Sequence, residues 1–548
     1  MAIIQVNGNE IEIGDDERLN GIQVARLAGV EIPHYCWHPG LSVVASCRMC
    51  LVETGQVDED GKVQMVPKLV PACQTSARDG TVFVTNSEKV ERARSMVEED
   101  LLINHPIDCP ICDKAGECSL QDYHFQHGQN QRRADIRPFT SRRRPMGDSV
   151  TLFVDRCVMC TRCVRFTREI SGKSELMVVN RGSHEEIDVF PGYPLENKMA
   201  GNVVDLCPVG ALGDRDFLYS QRVWFMKSHD GVCTGCATGC STHVDENQDH
   251  VYRLRPRENP HVNEWWMCDE GRYGFHYLHS DRRLTELRRR DPGPSDQNGA
   301  KRNGEFVNLD WAQLPERLEG ELKAAGLLAA VLSPHLTVEE AYLLATYVRL
   351  LDSEARIALG PVPMAGEDET FKNGFTIRRE KCPNRRGVEE VVAHFMDGAY
   401  TLDDLLPEIE AGTVRGAWVT GGYKTDWIDE LTAARFEPLD LLVVQDMFRS
   451  PLWDRATYQL PGAGFAEREG SFVNFADRLQ TVRWAIRPPA GAQVEGRLTW
   501  RLLGRAGMFD ARQVLSEMAS EMVYFAAASG EIPATGVDLK VNLLAEKA

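Results

Sequence analysis

Residues 2–13 (AIIQVNGNEIEI) alternate apolar and polar positions on either side of Asn7-Gly8, which predicts two short strands joined by a tight turn. A helical stretch follows near Ile22–Ala28. Asp58–Gln64 (DEDGKVQ) predicts a hairpin turning at Asp60-Gly61. Ser87–Leu102 is polar and acidic, with Val90, Ala93, Met96, Val97 and Leu101 at helical spacing, so it predicts a helix that delivers His105 and the next cysteines. Residues 222–280 read as short strands and turns, and Asp291–Gly304 (DPGPSDQNGAKRNG) as a turn-rich linker. Beyond it the pattern changes. Apolar runs (LLAAVL, ARIALG, GAWVTGG, DLLVVQD) alternate with helical segments, as a parallel α/β layer requires. There is no internal repeat and no long low-complexity tract.

Composition narrows the class. The 548 residues are 43% hydrophobic and 26% charged, which is ordinary for a soluble chain of about three to four domains. No apolar run approaches the roughly 18–20 residues that span a bilayer, and Met1-Ala-Ile-Ile-Gln-Val leads into a strand rather than an export signal. A reducing compartment is expected, with no disulfides. A net charge of −19 disfavours nucleic acid and bare anionic membrane as partners. The basic runs Arg142–Arg144 and Arg288–Arg290 read as solvated loop.

Cysteine placement carries the chemistry. Fifteen of the sixteen cysteines lie between Cys36 and Cys268, and with one histidine they sort into four groups of four. The third group is Cys157, Cys160, Cys163 and Cys207. It has the C-x2-C-x2-C spacing of a bacterial 4Fe–4S site, closed by a cysteine before proline, Cys207-Pro208. Zinc ribbons use two separated pairs instead. The first group is Cys36, Cys47, Cys50 and Cys73. Its first gap is longer than in the plant-type 2Fe–2S pattern, but strand hairpin, helix and cysteine loop follow in the order of a β-grasp ferredoxin. His34 and His38 read as packing or surface histidines, because a Rieske site needs two histidine ligands in a different arrangement. The second group is His105, Cys109, Cys112 and Cys118. Three cysteines with none to spare favour His105 as the fourth ligand. Zinc in a Cys3His site is its rival, and His124 and His127 are fallback ligands. The fourth group is Cys233, Cys236, Cys240 and Cys268, with Trp265 and Trp266 as packing beside it. Cys382 stands alone as a buried or half-buried small residue.

These residues resemble the large iron–sulfur subunits (75 kDa type) of NADH–quinone oxidoreductase, respiratory complex I. The resemblance runs across 1–290, through Ile32-Pro-His-Tyr-Cys36, Cys47-Arg-Met-Cys-Leu-Val-Glu53 and Leu102-Ile-Asn-His105-Pro-Ile-Asp-Cys-Pro-Ile-Cys112. It continues in Gly116-Glu-Cys118-Ser-Leu-Gln-Asp122, Asp155-Arg-Cys157, Cys163-Val-Arg-Phe166 and Met267-Cys-Asp-Glu-Gly-Arg-Tyr273. Arg283-Leu-Thr-Glu286, Val307-Asn-Leu-Asp-Trp311, Leu442-Val-Val-Gln-Asp446 and Phe465-Ala-Glu-Arg-Glu-Gly-Ser-Phe-Val-Asn474 are similar to molybdopterin oxidoreductases.

The resemblance implies an α+β multidomain chain. A β-grasp 2Fe–2S ferredoxin occupies 1–85, a His/Cys3 4Fe–4S module 86–145 and a ferredoxin-like 4Fe–4S module 146–220. A 4Fe–4S module of molybdopterin-oxidoreductase type occupies 221–290, and a truncated α/β relic domain 291–548. It implies one 2Fe–2S cluster on the first group, three 4Fe–4S clusters on the others, and no molybdopterin. It implies a flavin- and NADH-binding partner subunit, a quinone-side iron–sulfur partner, and a peripheral place on the cytoplasmic side of a bacterial inner membrane, with no direct span. The chain itself carries no G-x-G-x-x-G fingerprint near its N-terminus, so NADH is expected to be oxidised elsewhere. The alternatives are subunits of an NAD-linked molybdenum formate dehydrogenase or an NAD-reducing hydrogenase. A zinc scaffold is the alternative of a different class.

Overall fold

The computed structural model describes residues 1–540 except 15, 132, 135, 137–142, 183 and 296–300, and only the backbone of 292–295 and 301–303. The chain forms two compact units, 1–226 with 371–374, and 227–370 with 375–548. Among the described residues no helix is long and apolar enough to cross a membrane.

The first unit opens with β1 (Ala2–Val6) and β2 (Asn9–Ile13), paired antiparallel. Asn7 (φ 52°) and Gly8 (φ 86°) are both left-handed, as the tight turn between twisted strands demands. Helix α1 (Gly21–Leu27) starts at Asn20, whose side chain accepts from the Ile22 and Gln23 backbone N–H groups. The strands β3 (Leu51–Val57), β4 (Val63–Met65), β5 (Val70–Pro71) and β6 (Thr81–Val84) complete a mixed sheet in the order β2-β1-β6-β3-β4, with β5 against β3. The expected hairpin at 58–64 is the β3–β4 connection, and Asp58 closes it by accepting from the Asp60 and Lys62 N–H groups. The apolar core includes Ile4, Val6, Ile22, Val24, Val52 and Phe83, with Cys50 and Cys73 inside it.

Helix α2 (Glu88–Asn104) is capped by Ser87. It leads to His105, as the sequence predicts; its buried residues are Val90, Arg94 and Glu98, and Met96 is exposed. Glu98 accepts from the Tyr35 hydroxyl, and Arg94 pairs with Glu91 of the same helix. Helix α3 (Ser119–His127) follows. The rest of the unit comprises β7 (Arg143–Pro145), β8 (Val150–Phe153), α4 (Arg162–Glu169), β9 (Leu176–Val179), β10 (Glu186–Val189), α5 (Asn202–Leu206) and β11 (Leu212–Asp214). Arg142 lies outside the described residues. Arg144 is not simply solvated, because it pairs with Glu186 and Asp188.

The second unit starts with an antiparallel meander, β12 (Lys227–Val232), β13 (Ser241–Asn247) and β14 (His250–Pro256). The stretch expected as a linker is instead part of a hairpin, β15 (Arg288–Ser295) and β16 (Lys301–Asn308), whose tip at 296–300 lies outside the described residues. Turn-forming residues in 291–304 mark the end of a hairpin as well as they mark a linker. Arg288–Arg290 are strand residues, and Arg289 pairs with Asp291 and Glu321.

The parallel layer is present. Leu328–Leu332, second from one edge, lies between the edge strand Arg356–Leu359 and Gly416–Thr420, followed outward by Leu441–Asp446, Tyr458–Pro461, β15 and β16. The first five strands are parallel and β15 is antiparallel to its neighbour. Burial on both faces explains the continuous apolar runs. Leu328, Ala330 and Leu332 pack in one core layer with Leu343 and Val391, and Ala329 and Val331 in the other with Leu405 and Ile409.

Candidate metal centres

The first group sits in the loop from α1 to β3 and just beyond β5. Its thiols act on one another in two pairs, Cys36 with Cys47 and Cys50 with Cys73. The Cys47 partner and the Ser46 and Cys47 backbone N–H groups pull the Cys36 thiol down to about 5, and Cys73 lowers Cys50. One sulfur of each pair is thereby made the more acidic of the two, and the thiolate is the form that binds iron. Ala45 (φ 51°) and Arg48 (φ 59°) are left-handed, which folds the backbone around Cys47. His34 and His38 are engaged locally: His34 Nδ1 lies 2.7 Å from the Ile32 carbonyl, and His38 Nδ1 accepts from the Gly40 N–H at 3.1 Å.

The second group lies between α2 and α3. His105 caps the C-terminus of α2 and Cys118 precedes α3. His105, Cys109, Cys112 and Cys118 line one small cavity with Asp108, Arg156 and Gly210. Burial, then the Arg156 charge, lowers the His105 imidazole to about 4, leaving it neutral and able to coordinate. Arg222 fastens the cysteine turn by donating to the carbonyls of Cys112 (2.9 Å), Cys109 (3.2 Å) and Pro110 (2.8 Å). Of the fallback ligands, His127 is held by Glu91 at 2.7 Å. His124 lines an adjoining groove that also contains His105, Cys109 and Cys118.

The third group lines a small cavity whose other walls include Leu152, Ile187, Pro208, Val209, Ala211 and Leu212. Met159 (φ 47°) and Thr161 (φ 59°) are left-handed, and the Met159 N–H donates to Cys157 Sγ at 3.4 Å. Cys163 rides on α4, and Cys207 ends α5. Burial pushes the Cys160 thiol up to about 11, so ionising it needs positive charge in the cavity, which a metal centre supplies. The second and third groups adjoin. The Ser119 N–H donates to the Pro208 carbonyl at 2.9 Å, and a Cβ on Gly210 would sit 2.1 Å from Cys112 Sγ.

The fourth group belongs to the second unit. Cys233 follows β12, Cys240 precedes β13, and Cys268 caps the short helix Asp269–Arg272. The Gly235 N–H donates to Cys233 Sγ and the Gly271 N–H to Cys268 Sγ, each at 3.4 Å. A Cβ on Gly271 would fall 2.8 Å from Cys233 Sγ, so this cradle needs glycine. Burial raises Cys233 to about 11. Residues of a separate antiparallel sheet (Gly470–Val473 with Arg478–Val482) and of a nearby loop hold the cysteine loop: Gln480 Nε2 donates to the Gly239 carbonyl at 2.7 Å, Asn474 to Thr238 at 3.2 Å, and the Ala237 N–H to Glu380 at 2.9 Å. Trp266 is buried beside it, and Cys382 is fully buried.

All sixteen cysteines are free of disulfides. Among the described residues no three His, Cys, Asp or Glu side chains are set to hold a single metal ion. In the second and third groups the donors stand around cavities instead. Sequence reasoning missed Arg156, Arg162, Arg165, Arg222 and Gly210. The Arg162-x2-Arg165 repeat inside the cysteine motif, and a glycine three residues after Cys207, were the signals available.

Known families match each cysteine-bearing module in turn. Residues 2–88 match a 2Fe-2S iron-sulfur cluster binding domain, and 94–133 an NADH-ubiquinone oxidoreductase-G iron-sulfur binding region. Residues 147–213 match the ferredoxin-like domain of NADH-quinone oxidoreductase subunit 3, and 226–280 a molybdopterin oxidoreductase Fe4S4 domain. The chain is similar to an NADH-quinone oxidoreductase subunit of Rickettsia felis, at 32% identity over 64% of this chain and 50% of that one. The corresponding Streptomyces coelicolor subunit is 33% identical over 65% of this chain and 41% of its own length. The mitochondrial NADH-ubiquinone oxidoreductase 78 kDa subunit of Candida albicans is 36% identical over 52% of this chain and 38% of its own. The chain thus spans half or less of the length of these relatives. A solved NAD+-reducing [NiFe]-hydrogenase matches with TM-score 0.33 and 26% identity, over 40% of this chain and 91% of that one.

Proposed function

We propose that this chain is an iron–sulfur electron-transfer subunit of an NADH–quinone oxidoreductase, passing single electrons from a flavin- and NADH-binding partner toward a quinone-side iron–sulfur partner. The carrying observation is that four sets of four donors follow one another along one chain, the first three joined within one unit by shared hydrogen bonds. On this reading Cys36, Cys47, Cys50 and Cys73 hold a 2Fe–2S cluster on the β-grasp domain. His105 with Cys109, Cys112 and Cys118, then Cys157, Cys160, Cys163 and Cys207, then Cys233, Cys236, Cys240 and Cys268, hold 4Fe–4S clusters. Bound there, the clusters supply one-electron carriers. The protein's part is to present thiolates, to aim N–H groups at sulfur, and to keep solvent out. The complex would sit at the cytoplasmic face of a bacterial inner membrane, this chain being peripheral.

A catalytic molybdopterin role fits less well. In open parallel sheets, ligands bind beyond the carboxyl ends of the strands where the winding direction switches. Here that point lies between Leu328–Leu332 and Gly416–Thr420, and the chain's own side chains fill it. Tyr423 stacks on Trp427 (4.9 Å, 16°) and meets His335 edge-on at 4.9 Å. Trp427 donates to Asp446 at 2.9 Å, and a Cβ on Gly421 would strike the same carboxylate at 2.2 Å. This packing supports reading 291–548 as a structural relic.

The test is reduction by NADH of the anaerobically purified full chain. With its flavoprotein partner added, the iron–sulfur absorption should bleach; without it, nothing should happen. A chain that stays oxidised with the partner present sinks the reading.

A further inference from the structure

Helix α4 carries two guanidinium groups toward the interior of the first unit. Arg165 is only 2% exposed. It donates to the carbonyls of Ser42 and Cys36, and at 3.2 Å to that of Cys160. Arg162, one turn earlier, donates to the Leu206 carbonyl at 3.2 Å and to the Trp37 carbonyl. Four of these five carbonyls belong to ligand residues of the first and third groups or to their immediate neighbours.

Neither arginine forms an ion pair with a carboxylate among the described residues. Other buried arginines do. Arg283 pairs with Glu467 at 2.8 Å, Arg156 with Asp108 at 3.0 Å, and Arg468 with Glu340 at 2.6 Å and Glu495 at 3.0 Å. A buried cation is costly unless an opposite charge compensates it, and carbonyl dipoles solvate a charge without neutralising it. The negative charges that act on Arg165 are Cys160 and Cys36, one from each of the two cysteine groups, and then Glu169, which is itself taken up by Ser42 and Arg168.

We propose that Arg162 and Arg165 are the shared counter-charge of the first and third clusters, with Arg165 the positioning residue that ties their ligand loops together and holds both reduction potentials up. The proposal rests on the reading that both groups bind iron–sulfur clusters. Its physical content is that one charge serves two centres. Net charge around a cluster and hydrogen bonding to its surroundings set its potential. Removing the charge therefore lowers both midpoints together. The second cluster is the internal control, since neither arginine hydrogen-bonds to residues 105–118 among the described residues.

The test is an EPR-monitored redox titration of the anaerobically purified full chain, comparing wild type with Arg165→Gln and Arg165→Lys. Arg165→Gln should lower the midpoints of the first and third clusters and leave the second unchanged. Arg165→Lys keeps the charge and should recover most of the shift. Unchanged midpoints with both clusters present overturn the proposal, and so does movement of only one. If Arg165→Gln fails to load its clusters, the less buried Arg162→Gln must show the same joint lowering. Clusters lost from all three variants, with unshifted midpoints in whatever remains, would make the pair merely structural and overturn it. Absence of clusters from wild type would instead defeat the functional reading beneath it.

Discussion

His105 ends α2 beside three cysteines, and its place in the second cavity was legible from residue type, since the sequence offers no spare cysteine there. A thiolate adds negative charge where imidazole adds none, so His105→Cys should keep a cluster at lower potential, and His105→Ala should lose or alter its EPR signal. An unchanged signal and potential in His105→Ala would remove this ligand from the account. Gly210 was not legible, because spacing rules weigh cysteines and pass over the glycine that makes room for them. Its Cβ would overlap Cys112 Sγ at 2.1 Å, so Gly210→Ala must displace the cysteine turn, at about 1–3 kcal/mol for overpacking of this kind. The variant should lose the second cluster's EPR signal before the third, although residue 210 lies in the third cluster's loop. Equal retention of both signals would show that the loop yields freely.

The elements show where patterning succeeds and where it fails. The parallel strands were readable because burial on both faces leaves unbroken apolar runs. Helix α2 was legible from its periodicity, but the burial of Glu98 was not, since its partner, the Tyr35 hydroxyl, is one that no hydropathy pattern reveals. The strand pair at 288–308 was obscured because prolines and glycines dominate its end. The strand Arg478–Val482 bears on the fourth group through Gln480, which is 1% exposed and serves Gly239, Ser241 and Asn259. Gln480→Leu strands these buried groups, at about 1–3 kcal/mol for each one left unpaired. EPR of that variant should show the fourth cluster lost and the first three kept; four intact clusters would contradict this tie. On the helix Val338–Leu351, Glu339 is buried against the Ser471 N–H at 2.7 Å, and burial lifts its carboxyl from 4.5 to about 7. Between those values the folded form holds a proton that the unfolded form has released, so stability falls as pH rises through the window. The penalty is complete above the folded value, at about 3 kcal/mol. Thermal melts of Glu339→Gln between about pH 5 and about pH 7 should therefore slope less than wild type. An identical slope would assign the pH dependence elsewhere.

For the whole molecule, four donor sets and a switch-point crevice filled by Tyr423, His335 and Trp427 support the proposed carrier role. The donor sets were legible because ligand spacing is local. The filled crevice was not, because it depends on side chains from separate strand ends meeting in space. The central claim is that these sets hold one 2Fe–2S and three 4Fe–4S clusters and nothing else. The direct measurement is iron, acid-labile sulfide, zinc and molybdenum per chain after anaerobic purification. The account predicts about 14 iron and about 14 sulfide, with zinc and molybdenum at trace. Zinc in place of iron, or molybdenum approaching one per chain, would contradict it.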